Sequence, residues 1–182
     1  VGDSEERVTY PEFYRLATGD QLFFYRDGVS GDGNLMLNRY DVASKTWHRV
    51  QNGFINGEGQ RNAYWQVCTD EQGAVHVSWC WREHGGVESN HDVGYAKSLD
   101  GGVTWQKTTG EVYELPITAA NAEYAVRIPM GRELMKTTSM CADAQGNPYI
   151  AAIFRAHEDD PVPQYQLVYH DGAEWKVSRI SD

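Results

Sequence analysis

The sequence lacks the features of helical, membrane-spanning and disulfide-stapled proteins. Helical periodicity is weak throughout, and no run of 18 apolar residues occurs that would span a membrane. No signal peptide is visible, although a mature form would have lost one. Three cysteines at irregular spacing form no disulfide framework. Their apolar neighbours instead predict small buried thiols at Cys68, Cys80 and Cys141.

Positive charge is also scarce. Lysine and arginine number 16 against 26 aspartate and glutamate residues, which gives a formal net charge of −10. Binding to nucleic acid depends on a basic surface, so this balance argues against a nucleic acid partner. It leaves room for an anionic ligand, because a local basic pocket can form inside an acidic protein.

Aromatic residues and glycine are abundant by contrast. The 182 residues include 6 Trp, 11 Tyr and 18 Gly. Aromatic side chains favour strands and glycines favour turns, so the composition predicts many short strands. The length is sufficient for one domain with a substantial core.

Residues 98–105 carry the most informative motif, Ser-x-Asp-x-Gly-x-Thr-Trp, which is known as an Asp-box. The carboxylate of Asp100 can accept backbone N–H bonds across a tight turn, and Gly102 tolerates a positive φ angle. Thr104 and Trp105 then resume an extended strand, with the indole packed beneath the turn. The motif is typical of a hairpin in a β-propeller blade, and it predicts a fold made of repeats.

Two degraded copies of this motif indicate three repeats. Trp47, Trp105 and Trp175 each follow a polar turn, and a second turn lies upstream of each. We predict an all-β fold, a partial β-propeller of about three four-stranded antiparallel blades, in one domain over residues 1–182. The blades would cover 8–52, 60–112 and 134–182, with 117–126 as an excursion between blades. The predicted strands are 10–16, 21–27, 34–41 and 46–50, then 63–69, 74–82, 91–98 and 104–109, then 137–142, 148–155, 164–170 and 174–179.

Three blades do not close a propeller, which typically has four to eight. They would leave two unpaired blade faces and a sheet edge. We therefore expect the missing blades in a longer form of the same chain. The alternative is a homo-oligomer that closes the ring, for example two copies making six blades.

The direction of the blades points to one rim as the place for a site. The Asp-box and the upstream turns would share one rim, so the longer loops 27–33, 83–90 and 156–163 would lie on the other. Functional residues often lie on such loops above a rigid scaffold. The residues expected to converge there are Arg26, Asp27, Arg61, Asn62, Tyr64, Arg82, Glu83, His84, Asn90, His91, Lys136, Arg155, His157 and Tyr165.

Three arginines recur at one blade position on this rim. The planar guanidinium suits carboxylate and sulfate groups. The alternative use is structural, with each arginine paired to an acid on the next blade. The recurrence is seen at Arg26, Arg82 and Arg155.

Histidine and tyrosine supply the groups that could transfer protons. His91 could act as a base or an acid near neutral pH, or it could be hydrogen-bonded to a neighbouring carboxylate. Tyr64 and Tyr165 could donate a proton or stack on a sugar ring, and packing between blades is the alternative.

No cofactor is predicted. Cysteine and histidine lack the spacing of a zinc site, and the consecutive acids at 158–160 are typical of a solvated loop. The glycines at 28–33 precede a strand and so do not form a phosphate-binding loop. Binding of a structural divalent cation is left as an alternative.

Taken together, these motifs resemble the BNR-repeat (bacterial neuraminidase repeat) propeller family, and the longer set is similar to a subgroup that includes bacterial ulvan lyases. That subgroup is seven-bladed, so the chain would hold under half of the ring. The residues that carry the resemblance are Glu6-Arg7-Val8-Thr9-Tyr10-Pro11, Tyr25-Arg26-Asp27-Gly28-x-Ser30-Gly31, Arg61-Asn62-Ala63-Tyr64-Trp65, Trp79-x-Trp81-Arg82-Glu83, Asn90-His91-Asp92 and the Asp-box.

The resemblance implies a secreted or periplasmic polysaccharide lyase that cleaves a uronate-containing, sulfated glycan by β-elimination. His91 would be the base and Tyr165 the acid, and Arg82 or Arg155 would neutralise the uronate carboxylate. A second histidine would come from His84 or His157. The partner would be an anionic polysaccharide, without nucleic acid or membrane. The residues expected to bind it are Arg26, Arg61, Asn62, Tyr64, Arg82, Asn90 and Arg155.

Two other functions fit the same pattern. A propeller of this kind could bind an anionic glycan without chemistry, because propellers host many roles. A sialidase is less well matched. The Arg-Ile-Pro sequence at 127–129 echoes a sialidase motif, but it follows the Asp-box instead of preceding it.

Overall fold

The protein is an all-β partial propeller. The computed structural model describes residues 5–136 and 139–181, and within them twelve strands form three four-stranded antiparallel sheets. Residues 1–4, 137–138 and 182, which include the start of the strand predicted at 137–142, lie outside that description. The strands are β1 (Val8–Arg15), β2 (Gln21–Val29), β3 (Asp32–Asp41), β4 (Thr46–Ile55), β5 (Asn62–Thr69), β6 (Val75–Arg82), β7 (Asn90–Ser98), β8 (Glu123–Val126), β9 (Ser139–Ala142), β10 (Pro148–Phe154), β11 (Gln164–His170) and β12 (Trp175–Arg179).

Each sheet is a meander in which consecutive strands are hydrogen-bonded neighbours, the arrangement of a propeller blade. The predicted loop at 27–33 is wrong in one respect, because most of it is strand. β2 continues to Val29, β3 begins at Asp32, and only Ser30 and Gly31 form the turn. Gly28 has a φ of 134° there, and a Cβ atom on it would lie 2.4 Å from the carbonyl oxygen of Asp32. The rim therefore carries a tight hairpin in the first blade.

The fourth strand of the second sheet is also not where the sequence predicts it. Gln106 makes two backbone hydrogen bonds with Lys97 and then leaves the sheet, so residues 104–109 form no regular strand. The fourth strand is β8, which falls inside the predicted excursion at 117–126. The chain diverges because Trp105, Tyr113 and Ile117 are buried in the core between the first two sheets.

Two apolar layers hold the three sheets together. Between the first and second sheets, Leu22, Phe24 and Leu37 pack with a group of tryptophans that includes Trp79 and Trp81. Between the second and third sheets, the buried residues are Tyr64, Cys80, Val93, Ala125, Ile128, Leu134, Ile150, Ala152, Phe154 and Val168. Removal of the apolar surface of these two layers from water drives the blades together.

The cysteines divide between the inner and outer faces of the sheets. Cys80 is buried between the second and third sheets, as predicted, and Cys68 is half-buried, which raises its pKa to about 12. The prediction of a buried thiol is wrong for Cys141, which is exposed. Cys141 pairs with Tyr149, and Tyr149 alternates with the buried residues Pro148 and Ile150 along β10. It therefore lies on the face of the third sheet that points away from the second.

The turn at 98–105 fixes the rim opposite the predicted site. Asp100 accepts hydrogen bonds from the backbone N–H of Val103 at 3.1 Å and of Thr104 at 2.9 Å, and Trp105 Nε1 donates to the carbonyl of Gly102 at 2.9 Å. Ser98 pairs with Val75, just after the turn that joins β5 to β6, so both turns lie on one rim. No helix among the described residues is long and apolar enough to cross a membrane.

Candidate functional site

The first strands of the three sheets bring polar side chains together at the other rim. Tyr10 lies on β1, Tyr64 on β5, and Lys136 just before β9. The rings of Tyr10 and Tyr64 are 5.6 Å apart and nearly perpendicular. The ammonium of Lys136 lies 5.4 Å from the centroid of the Tyr10 ring and 6.0 Å from that of Tyr64. Three blades therefore contribute to one cluster.

Tyr64 is at the centre of this cluster. Its hydroxyl lies 3.1 Å from the hydroxyl of Ser30 and accepts a hydrogen bond from Nη1 of Arg82 at 3.2 Å. The Arg82 guanidinium also lies 4.3 Å from the centroid of the Tyr64 ring. Nε of Arg82 donates to Oδ1 of Asn90 at 2.7 Å, and Asn90 donates to the carbonyl of Leu134 at 2.8 Å. Arg82 is thus held against Tyr64 from two sides.

A second arginine lies beside the two rings and is almost completely buried. The exposed fraction of Arg26 is 4%. Its Nε donates to the hydroxyl of Thr9 at 2.8 Å, and its guanidinium lies 4.9 Å from the Tyr10 ring and 5.4 Å from the Tyr64 ring. Nη1 of Arg26 has no hydrogen-bond partner within the described part of the chain. An unpaired buried donor is costly, so the protein gives up stability to hold the guanidinium at this position.

The two tyrosines differ in acidity. Burial acts to raise the pKa of Tyr64, but the hydrogen bonds with Ser30 and Arg26 and the charges of Arg82 and Arg26 outweigh it, and the pKa is lowered. The pKa of Tyr10 is raised, first by its interaction with Tyr64 and then by burial. Adjacent phenols whose pKa values are displaced in opposite directions are suited to passing a proton.

Tyr10 occupies a strained backbone position. Its φ is 54°, in the left-handed region, and the pairing of β1 with β2 shifts register between Thr9 and Glu12. Strain of this kind is concentrated at functional sites. Tyr10 and Ser30 were not among the residues predicted for the site. Pro11, which cannot donate to the sheet, is the signal in the sequence for a bulge beside Tyr10.

His91 is held between two carboxylates. Its Nε2 lies 2.7 Å from Oε1 of Glu83, and its Nδ1 lies 3.1 Å from Oδ2 of Asp92. Burial lowers the pKa of His91, but the two carboxylates outweigh burial and raise it. His91 lines a cleft of about 440 Å³ with Arg61, Glu83, His84, Asp92, Ile128, Pro129 and Met130. The hydrogen-bonded alternative for His91 is the arrangement that the structure shows.

Arg61 and Asn62 lie at the start of the second sheet, beside the first. Nε of Arg61 donates to Glu83 at 2.7 Å and its Nη1 to Glu58 at 2.8 Å. Asn62 is fully buried, and its Oδ1 accepts a hydrogen bond from the N–H of Gly31 at 2.5 Å. Both side chains are engaged within the protein.

Arg155 and Tyr165 lie on the third sheet, apart from the Tyr64 cluster. Arg155 donates to Glu133 at 2.6 Å and to the carbonyl of Asp160 at 2.9 Å. Tyr165 is 46% exposed and pairs with Ile153. It alternates with the buried Gln166, so it points away from the second sheet. Tyr165 does not line the cleft around His91.

The linkage of His91 to two carboxylates predicts a pH-dependent stability. A group whose pKa is raised on folding stabilises the native state when protonated, and this stability is lost as pH rises through the folded-state pKa. We expect the melting temperature to fall from about pH 6 to pH 8, because the ordinary histidine value is about 6.5. His91→Gln should flatten this fall in thermal melts.

His48→Gln is the matched control, because His48 is exposed and its Nε2 contacts a hydroxyl, that of Thr46, at 2.9 Å. This variant should keep the pH dependence of the wild type. An unchanged slope in His91→Gln would contradict the assignment of the slope to His91.

Comparison with known proteins agrees with this fold. A family model described as "BNR repeat-containing family member" matches residues 1–182. An ulvan lyase, long isoform, from Glaciecola sp. (strain KUL10) is 34% identical over 56 residues, which is 31% of this chain and 5% of that protein. The fold is similar to a solved PL25 ulvan lyase bound to -[GlcA(1-4)Rha3S]- (TM-score 0.74, 21% identity, 93% of this chain and 43% of that one) and to the polysaccharide lyase Uly1 (TM-score 0.71, 17% identity, 94% and 40%). The chain thus spans less than half the length of these solved lyases. It belongs to the BNR repeat-containing family.

Proposed function

We propose that this chain forms the substrate-binding rim of a polysaccharide lyase that acts on a uronate-containing, anionic glycan. The observation that carries the proposal is the Tyr64 hydroxyl held against Arg82, with the guanidinium of Arg26 beside the Tyr64 ring. Lyases of known structure share the fold, and the bound glycan named for one of them contains glucuronate. The remaining blades would lie elsewhere in a longer form of the protein or in a partner copy.

β-Elimination needs a neutralised carboxylate and two proton transfers. Abstraction of the C5 proton places charge on the adjacent carboxylate, and the electron pair then forms the C4–C5 double bond as the C4–O4 bond breaks. The guanidiniums of Arg82 and Arg26 are suited to stabilise that charge. A proton must then reach the departing O4, and the product is an unsaturated uronate.

Tyr64 is the proton-transfer group that the geometry favours. The hydrogen bonds and charges of the neighbouring arginines lower the pKa of Tyr64 and so favour its phenolate, the form that would take the C5 proton and return it to the leaving oxygen. His91 as base and Tyr165 as acid remain predictions from the resemblance. Use of His91 as a base would require removal of a proton that Glu83 and Asp92 stabilise.

The test is an elimination assay on the full-length protein. The substrates are ulvan and other uronate polymers, and the readout is the ultraviolet absorbance of the unsaturated product. A rise on a uronate polymer and none on a neutral glucan supports the proposal. No rise on any uronate polymer overturns it.

The second candidate function is binding of an anionic glycan without cleavage. It is favoured by the two carboxylates of Glu83 and Asp92, which engage both ring nitrogens of His91. Calorimetric binding of a uronate polymer in the absence of any unsaturated product would establish this function instead. A glycan ligand in either case is consistent with a secreted or periplasmic location, which we propose for the protein.

A further inference from the structure

A second set of basic residues lies along a groove that runs from His91 toward the third sheet. Three cavities share lining residues in the segment that follows β8. The cleft around His91 shares Ile128 and Pro129 with a cavity of about 240 Å³, and a third cavity of about 430 Å³ adds Glu133 and Glu158. Arg132 and Arg155 line both of the latter cavities. The three cavities are therefore neighbours along one segment of the surface.

Two guanidinium nitrogens in this groove are unpaired. Nη1 of Arg132 and Nε of Arg155 are both buried and have no hydrogen-bond partner in residues 5–136 and 139–181. Both atoms are closed off from solvent by the protein, so a ligand in the groove would meet the exposed part of each guanidinium instead. Both belong to side chains that are otherwise about three-quarters buried, with exposed fractions of 22% and 27%. The surrounding protein therefore fixes the two guanidiniums in place before any ligand binds.

The acidic partners of these arginines are far more exposed than the arginines themselves. Glu158 lies 3.6 Å from Arg132 and its side chain is 88% exposed, and Glu133 lies 2.6 Å from Arg155 and is 49% exposed. Exposed ion pairs contribute little, because solvent competes for both charges. This applies to Glu158, which is almost fully in solvent, so an incoming anion can displace that carboxylate from Arg132 at low cost.

We propose that Arg132 and Arg155 form a second anion subsite, which binds an oxyanion group, sulfate ester or carboxylate, on a sugar remote from the one held at Tyr64. The planar guanidinium presents paired donors that match both groups. The subsite rests on the proposed function, since it takes the anionic glycan of that function as its ligand. It would hold the polymer along the groove and take no part in bond cleavage.

The experiment measures binding directly, so that it does not depend on turnover. Calorimetry with ulvan and with chemically desulfated ulvan is carried out on the wild type, Arg132→Gln and Arg155→Gln. We expect each variant to bind ulvan about tenfold more weakly, the loss of one charge-assisted contact. A loss confined to the sulfated polymer identifies a sulfate ester as the ligand, and an equal loss on both polymers identifies a carboxylate. Arg15→Gln is the control and should bind as the wild type does, because Arg15 is exposed and lies at the end of β1 on the opposite rim.

Glu158→Gln provides a test of opposite sign that does not endanger folding, because the side chain is exposed. Removal of the competing carboxylate should tighten binding several-fold. Wild-type affinity in Arg132→Gln and Arg155→Gln, together with wild-type affinity in Glu158→Gln, overturns the subsite while leaving lyase activity intact. Absence of both binding and cleavage by the wild type would instead reject the proposed function, and the subsite with it.

Discussion

Tyr64→Phe is expected to lower the elimination rate by about a hundredfold or more, the usual contribution of a positioned proton-transfer group. The substitution removes one oxygen atom and keeps the ring, which packs between the second and third sheets. Arg82 keeps its hydrogen bonds to Asn90 and Ser30, so the cation remains in place. The loss should therefore fall on kcat, with little change in KM or in melting temperature.

Tyr165→Phe is the matched control, because it makes the same change at the tyrosine that the resemblance implies as the acid. Tyr165 is exposed on the far face of the third sheet, and the variant should retain most of the activity. The reverse result, with Tyr165→Phe inactive and Tyr64→Phe active, would assign the chemistry to Tyr165. Equal rates in Tyr64→Phe and the wild type would remove Tyr64 from the mechanism.

Local turn chemistry made most of the fold predictable. Turns at 70–73 and 98–105, with their glycines and carboxylates, separate strands whose hydrophobic alternation is clear, so eleven of the twelve strands overlap their predicted positions. The prediction is wrong for the fourth strand of the second blade, because contacts between residues far apart in the sequence decide where that strand lies. The Asp-box implies an immediate return strand, but burial of Tyr113 and Ile117 carries the chain away before β8 pairs with β7.

The site was less predictable because it depends on contacts between blades. A sequence shows that Arg82 and Tyr64 lie near one rim, but it does not show that their side chains meet at Ser30. Of the two partners of His91, Asp92 is its neighbour in the chain, whereas Glu83 reaches His91 only because β6 pairs with β7. Tyr165 illustrates a different limit. The sequence shows that Tyr165 lies on the opposite face of β11 from Gln166 and Val168. Only the burial of those two residues in the structure shows that their face is the inward one.

Gly57→Ala is expected to destabilise the joint between the first and second blades by about 3 kcal/mol. A Cβ atom on Gly57 would lie 1.8 Å from the carbonyl oxygen of Arg61 and 2.6 Å from that of Gly33. Both are backbone atoms, so no side-chain rotation can relieve the clash. The backbone would have to move in a segment where Gly33 N–H donates to the Arg61 carbonyl and Arg61 N–H donates to the Gly57 carbonyl. A loss of this size corresponds to a fall of about 10 °C in melting temperature for a domain of this length.

The same substitution should also disturb the site, because this joint places the hairpin that carries Ser30. The N–H of Gly57 donates to the side chain of Asn34, and the N–H of Gly31 donates to Asn62. Displacement of these contacts would move Ser30 away from Tyr64 and Arg82, so ligand binding should weaken together with stability. Gly85→Ala is the control, since a Cβ atom there meets nothing within 4 Å and the residue lies on the same rim. A melting temperature for Gly57→Ala equal to that of Gly85→Ala would show that the two blades can separate slightly without cost, and that the hairpin is not positioned by this joint.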